Sequence, residues 1–514
     1  MAQGTAAHQD IELKARARNG LRFKPAMAVF AVLLVVAVAA IAVPSAAELT
    51  DEPQDSSPAV QKVGSQRLVF AHYFPPYPIS LDNADPNSDH YASVYLNPTR
   101  TDDPYAPFGA MLRDRPLPRP PRAELDWRES DLATEVRQAI SAGIDGFAVD
   151  ILSPVEQGEW VAAVPSQLLR VAEEIGAPFK IMLMPDMHAE LGRLSPGQLA
   201  DQMARLGRSP AAFRLEDGRL VISPFKAENR SPPWWQDFLA QMKSRHGIEV
   251  ALLPVFVDDN PVFLDSYASV SFGMSLWGGR NPAFNPVGGF PFDMIARAHE
   301  AGKLWMQPVS MQDYRPATQV FDESENTTNL RNTWRIAIEG GAEWVQIATW
   351  NDYSESTDIA PSVQHGTALL ELTAYYIHLF KHSDPPVFPF DRLFLSHRTQ
   401  RLDAGPYPEQ TALAALRAGS VAGRDTVEAL SILTKPSTVV IRVGAEETIC
   451  QQPAGLSLCL APLGQSTGQD ISVQARVHRA GRTVIDMTSP FPVLARPVIQ
   501  DLSYVLSQAR SIGG

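Results

Sequence analysis

The chain has 514 residues, 45% of them hydrophobic, and a formal net charge of -13 with an isoelectric point of about 5.4. That size and apolar content exclude wholesale disorder and favour one large domain with a smaller companion. The acidic balance excludes a nucleic-acid partner, which needs a basic face to neutralise phosphates.

Residues 1–47 read as a signal peptide or N-terminal membrane anchor. Ala26 to Val43 carry no charge, follow Arg16, Arg18, Arg22 and Lys24, and precede Ser45-Ala46-Ala47, small residues of the kind that signal peptidases cut. The run is just long enough to span a bilayer. The expected location is therefore extracellular, either secreted or attached to the outer face of a membrane through residues 26–43. Residues 48–65 are polar, lack a periodic apolar pattern and read as a linker.

From residue 66 to 383 apolar strands alternate with amphipathic helices. Arg67 to His72 is the first strand. Ser130 precedes a helix with Leu132, Val136 and Ile140 on one face and Gly143 at its end, and Gly146 to Ile151 follows as strand. Ser166 opens a helix closed near Gly176, before a strand at Phe179 to Met184. Ser195-Pro196 opens another closed near Gly207, before Leu220 to Ile222. Further strands are expected at Ile248 to Val257, Val270 to Trp277, Lys303 to Val309 and Glu343 to Thr349, with helices around 234–245, 291–301 and 329–339. Eight strands alternating with helices predict a (β/α)8 barrel of the TIM type with its active site at the C-terminal strand ends. A doubly wound open sheet usually carries a Gly-rich phosphate turn after its first strand, where this chain has Pro75, Pro76 and Pro78. Beyond the prolines at 385–389, short strands separated by turn residues over 388–497 predict a small C-terminal β-sandwich, and 498–514 reads as a tail. Cys450 and Cys459, the only cysteines, fall in this strand-rich region, where an exported chain permits a disulfide.

The segment 347–359 carries the most chemical information. An apolar strand ends there in Trp350, Asn351, Asp352, Tyr353 and Glu355. Two carboxylates three residues apart beside aromatic surface suit glycoside hydrolysis, which needs two carboxyl groups in different protonation states. An Asp followed three residues later by Glu is also a helix capping box. On regular helix the pair resembles the closer spacing of retaining enzymes, so stereochemistry depends on local backbone. Other strand ends supply His72 and Tyr73, Asp150, Asp186, Trp277 and Tyr314 as substrate-binding candidates beside Trp350, Asn351 and Tyr353, with Trp277, Tyr314 and Trp350 offering faces for sugar stacking. No His-Glu-x-x-His helix motif, cysteine cluster or Gly-x-Ser-x-Gly turn occurs, so neither metal nor other cofactor is expected. Oligomeric state is not legible.

With those residues in view, the chain resembles glycoside hydrolase family 71, the α-1,3-glucanases or mutanases. The resemblance rests on Phe70-Ala71-His72-Tyr73, Gly143 to Ala148, Pro185-Asp186-Met187 and above all Thr349-Trp350-Asn351-Asp352-Tyr353-Ser354-Glu355-Ser356. It implies a barrel enzyme acting on an α-glucan by inversion, with Asp352 as general acid and Glu355 as general base. Family members commonly have Gly at the position of Ser354 and His at that of Thr357, so the carboxylates match while their neighbours differ. An endo-α-mannosidase-like or other envelope-polysaccharide hydrolase, and a non-catalytic carbohydrate-binding envelope protein, are the alternative readings.

Overall fold

The computed structural model describes residues 66–154, 159–465 and 468–511; residues 1–47, read above as a signal peptide or membrane anchor, and 48–65, read as a linker, lie outside the described residues. Among these, eight parallel strands alternate with eight helices: β1 Leu68–Tyr73, α1 Trp127–Ser141, β2 Gly146–Ile151, α2 Trp160–Ile175, β3 Lys180–Pro185, α3 Pro196–Gly207, β4 Leu220–Ile222, α4 Pro232–His246, β5 in two segments (Val250–Leu252 and Val255–Phe256), α5 Val262–Tyr267, β6 Gly273–Leu276, α6 Phe290–Glu300, β7 Leu304–Val309, α7 Thr328–Glu339, β8 Trp344–Ile347 and α8 Ala368–His382. The first segment of β5 pairs with β4 and the second with β6, while β1 pairs with β8. One interrupted strand therefore joins both ends of the sheet, and the barrel is closed.

Alternation along each strand sorts the side chains. Phe70, Ala148, Met182, Met184, Val221, Ala251, Leu304, Met306 and Trp344 form one cluster inside the barrel. Val69, Ala71, Tyr73, Phe147, Val149, Ile181 and Leu183 pack outward against the helices. Helix starts follow their local signals unevenly. Ser195 caps α3 through a reciprocal box with Gln198. Helix α2 instead begins at Trp160 and carries Pro165 inside it, so Ser166 is interior rather than a cap.

The second part is a sandwich of two four-stranded antiparallel sheets. One sheet holds β9 Arg392–Arg398, β10 Thr426–Leu433, β13 Gly455–Pro462 and β16 Tyr504–Arg510. The other holds β11 Ser437–Val443, β12 Glu446–Gln452, β14 Val473–Arg479 and β15 Arg482–Thr488. A Cys450–Cys459 disulfide joins edge strands β12 and β13, one from each sheet. The segment read as a tail at 498–514 instead contributes β16, paired residue for residue with β9 from Tyr504 to Arg510. Tyr504 and Leu506 enter the barrel-side core while Ala509 packs on the sandwich core. Its first three residues are buried, the next three half-buried and Arg510 exposed, so apolar and polar residues fall in two blocks rather than alternating.

No linker separates the two parts; Gly64–Gly514 forms one compact unit. Phe394, Leu430 and Ile432 pack toward the barrel, while Leu393, Leu395, Val427 and Ala429 from the same sheet pack within the sandwich. Polar welds reinforce this face. Buried Arg398 donates to Glu323 Oε2 at 2.9 Å, to Leu502 O at 2.8 Å and to Arg424 O at 2.7 Å, and Tyr504 donates its hydroxyl proton to Glu323 Oε1 at 2.8 Å. Asn326, the acceptor of a possible glycosylation triplet, is fully buried and donates to Ser396 O and Thr426 O, leaving no room for a glycan.

Candidate active site

Strand parity decides which sequence candidates face the C-terminal mouth of the barrel. His72 lies two residues after inward Phe70, Asp150 two after Ala148 and Asp186 two after Met184, so all three turn inward. His72 Nε2 is 3.9 Å from Asp150 Oδ2, and its Nδ1 is 3.1 Å from Met184 Sδ. Burial, with help from Arg280, pushes the His72 imidazole down to about 3, so it is neutral. Burial, followed by the charges of Asp186 and Asp352, raises the Asp150 carboxyl well above the ordinary range, and its Oδ1 has no hydrogen-bond partner. Asp186 Oδ1 accepts the backbone N–H of His188 at 2.6 Å and of Ala189 at 3.2 Å. Trp277 stands edge-on to His72 and to Phe225, each at 4.9 Å between ring centroids.

Asp352 and Glu355 project from the loop after β8. Residues 353–356 form turns rather than helix, and Ser356 has a left-handed φ of 53°. The capping-box reading is thereby excluded. The backbone N–H of Asp352 receives no helical bond but donates to Thr349 Oγ1 at 2.8 Å. Asp352 Oδ1 accepts from Ser354 N at 3.0 Å and Ser354 Oγ at 2.6 Å. Burial raises the Asp352 carboxyl above its usual range despite these bonds and the nearby Arg315. Glu355 is less enclosed, and its Oε1 lies 2.5 Å from Arg315 Nη1. The loops after β7 and β8 are zipped here: Tyr314 N donates to Glu355 O at 2.8 Å, and Ser356 Oγ donates to Tyr314 O at 3.1 Å.

Five candidates have other employment. Tyr73 faces outward by parity and donates its hydroxyl proton to Glu135 Oε2 at 2.9 Å. Trp350, fully buried, donates Nε1–H to Glu135 Oε1 at 3.1 Å and packs on Phe147. Asn351 accepts from Phe74 N and donates to Phe74 O and Tyr77 O, fastening the loop after β1 to the loop after β8. Tyr353 packs in a tyrosine-rich cluster with Tyr77, Tyr91 and Tyr95. Tyr314 donates to Gln500 O at 2.7 Å beneath the sandwich. Each is buried by its own neighbours, which is the ordinary fate of large rings, and none offers a face to a sugar.

The structure also adds residues that the sequence reading did not single out. Arg315, held by Asp313 at 2.6 Å, is the cationic partner of Glu355. Arg280 is buried over Trp277 with its guanidinium carbon 5.2 Å from the ring centroid, and its Nε and Nη2 have no hydrogen-bond partner. Glu135 on α1 anchors both Tyr73 and Trp350, and burial pushes its carboxyl up to about 8. Arg280 follows Gly278-Gly279 directly after a strand-end Trp, a local signal that was available. Glu135 carried none, because its partners Tyr73 and Trp350 are distant in sequence, and the pairing of Arg315 with Glu355 is equally long-range. Among the described residues, the three side chains that bring metal-capable donors together are Asp114, Asp358 and His365.

A closed barrel with a carboxylate-rich mouth is a common setting for sugar hydrolysis, and sequence relationships decide the family. The profile of Glycosyl hydrolase family 71 matches residues 123–499. The chain belongs to Glycosyl hydrolase family 71. Family 71 membership makes it a glycoside hydrolase, and the match runs from α1 through β15 and stops short of β16. A glucan endo-1,3-alpha-glucosidase of Schizosaccharomyces pombe is 20% identical over 390 residues, spanning 71% of this chain and 86% of that protein. An ascus wall endo-1,3-alpha-glucanase of the same yeast is 22% identical over 245 residues, 46% of this chain and 55% of that protein. Among solved structures, the GH99 endo-alpha-mannosidase from Bacteroides thetaiotaomicron is similar over 61% of this family 71 chain and 97% of its own, with 15% identity and a TM-score of 0.46. An exo-beta-1,4-mannosidase from an Opitutaceae bacterium is similar at 10% identity over 62% of this chain and 60% of its own, with a TM-score of 0.37. At these scores neither likeness bears on substrate.

Proposed function

We propose that this family 71 enzyme hydrolyses α-1,3-glucosidic bonds of a glucan with inversion, Asp352 serving as general acid and Glu355 as general base. The observation that carries the assignment of roles is the unequal setting of the two carboxyl groups on one loop. Burial favours the protonated form of Asp352, the form that can donate to a leaving glycosidic oxygen. Glu355 is paired with Arg315 at 2.5 Å, and a neighbouring cation favours the ionised form that a base needs. The turns at 353–356 keep the pair off regular helix, in keeping with the wider carboxyl separation that admits a water between sugar and base. The names of the yeast relatives support α-1,3-glucan as the substrate.

Substrate binding is assigned to His72, Asp150, Asp186 and Trp277 at the barrel mouth, with Arg280 adding two buried donors for hydroxyl or ring oxygens. Export, by secretion or through an anchor at residues 26–43, is proposed from the charged-then-apolar N-terminal sequence. The Cys450–Cys459 disulfide is compatible with an oxidising compartment. No helix among the described residues is long and apolar enough to cross a membrane.

The test is proton NMR of fresh digests of insoluble α-1,3-glucan, with α-1,4-glucan and α-mannan in parallel. Initial release of β-anomers from the α-1,3-glucan alone is expected. Initial α-anomers would refute inversion, and exclusive cleavage of mannan would refute the substrate.

A further inference from the structure

Just beyond the two carboxylates, the loop after β8 doubles back against residues 113–117. Leu117 N donates to Pro361 O at 3.0 Å, and Val363 N donates to Arg115 O at 3.0 Å. At this junction Asp114, Asp358 and His365 each bring one oxygen or nitrogen to within 4.8 Å of the others'. All three residues are less than 5% exposed, which removes the bland reading of a solvated acidic patch. Asp114 Oδ2, Asp358 Oδ2 and His365 Nδ1 are buried without hydrogen-bond partners, as is the nearby Tyr353 hydroxyl. Four orphaned polar atoms around one spot is a costly arrangement for a protein interior unless something fills it.

One edge of Asp114 and the backbone beside the His365 ring are already held. Asp114 Oδ1 accepts the N–H of Arg115 at 2.7 Å and of Gln364 at 3.0 Å, and His365 N donates to Ser362 Oγ at 3.2 Å. Fixing one edge of a carboxylate with backbone donors while leaving the other edge bare is what outer-shell support of a ligating group looks like. Two carboxylate oxygens and one imidazole nitrogen form a mixed hard and borderline donor set. Calcium and magnesium favour oxygen ligands alone, whereas zinc and its transition-metal neighbours accept this set. Donors on one zinc sit about 2.0 to 2.2 Å from the ion, hence no more than about 4.4 Å apart. The existing separations are within side-chain adjustment of that limit.

We propose that Asp114, Asp358 and His365 bind a divalent transition-metal cation, zinc fitting best, which fastens the β8 loop carrying Asp352 and Glu355 to the segment at 113–117. The charge balance agrees. Without a cation, burial pushes Asp114 up to about 7, and burial together with Asp114 raises Asp358 well above the ordinary carboxylate range. Burial also pushes His365 down to about 4, leaving a neutral ring ready to coordinate. The ion lies beside the reaction rather than in it. Its role is to hold the loop, so the site is defined by binding and stability rather than by turnover.

The experiment uses the full-length, untagged chain, stripped with EDTA, dialysed against micromolar Zn²⁺ and desalted before metal analysis. About one equivalent of zinc should be retained, and Tm should rise by about 3 °C at a hundredfold excess over Kd. Asp358→Asn and His365→Gln should each retain less than a tenth of that amount. If the wild-type chain retains no zinc and shows no thermal shift, the proposal is overturned and the carboxyl groups share protons instead. Equal retention by the variants would also overturn it, by moving the binding elsewhere. Should a variant not fold, stripped wild-type chain decides: stabilisation by Zn²⁺ but not by Ca²⁺ supports the site, and equal response to both refutes it.

Discussion

Replacing Glu135 with Gln tests whether a buried carboxyl behind the β8 loop is neutral in the folded enzyme. Burial moves its pKa from 4.5 to about 8, against the opposing pull of the bonds from Tyr73 and Trp350. The sign follows from proton counting. Below pH 4.5 both folded and unfolded chains hold the proton and the residue adds no pH dependence. Between 4.5 and about 8 the unfolded chain loses it first, so stability falls as pH rises through that window. At about 1.4 kcal/mol per pH unit, the full cost above that window is about 5 kcal/mol. Gln escapes that cost, but its NH₂ meets one of the two donors, Tyr73 Oη or Trp350 Nε1, and leaves it unpaired for about 1 to 3 kcal/mol. With an unfolding entropy of about 2 cal/mol/K per residue over roughly 450 residues of the compact unit, 1 kcal/mol corresponds to about 1 °C. Glu135→Gln should therefore melt about 1 to 3 °C below wild type at pH 4.5 and about 2 to 4 °C above it at pH 8.5. Differential scanning calorimetry across that range reads the crossing directly. A difference that keeps one sign and size at all pH values would refute the reasoning.

Asp352→Asn and Glu355→Gln should each lower turnover on α-1,3-glucan by about 10² to 10⁴, with Tm within about 2 °C of wild type; near-normal turnover in either variant removes that residue from the mechanism. Arg315→Met should move the acid limb of the pH–rate profile upward, since loss of the cation at 2.5 Å makes the Glu355 carboxylate easier to protonate, while Arg315→Lys restores part of the change. An unmoved acid limb would mean that Glu355 is not the group titrating there. Arg398→Leu leaves Glu323 buried without its ionic partner and should cost about 3 to 5 kcal/mol. Calorimetry should still show one transition, and two separated transitions would show that sandwich and barrel unfold independently.

Much of the architecture was legible because helices and parallel strands leave periodic traces. All eight barrel strands were placed, and Ser195-Pro196 marked its helix start through chemistry contained in four residues. The site was legible at the level of strand ends, where His72, Asp150, Asp186 and Trp277 do converge. Adjacent aromatic residues were the weak point. His72 and Tyr73 point to opposite sides of one strand, and counting inward from Phe70 would have separated them. Trp350, Asn351 and Tyr353 lie beyond the regular strand, where no period applies, so only their partners reveal that they hold the loop. Arg315 acts through Glu355 on another loop, and such long-range pairing leaves no local pattern, whereas Arg280 donates to Trp277 O and Gly278 O of its own loop and follows a Gly-Gly pair after a strand-end Trp. The final strand was missed because its apolar residues come first and its polar residues after, with no alternation along it.

That final strand sets the timetable of assembly. Gln312, in the loop that carries Arg315, exchanges backbone-directed bonds with Tyr504 at 2.7 and 3.3 Å, and Glu323 receives the Tyr504 hydroxyl. Until residues 504–510 have left the ribosome, the loop beside Glu355 lacks its backing and the β9 edge lies open. A chain that stops before Tyr504 would therefore leave the Gln312 loop and the β9 edge without these partners even though every barrel strand had been made.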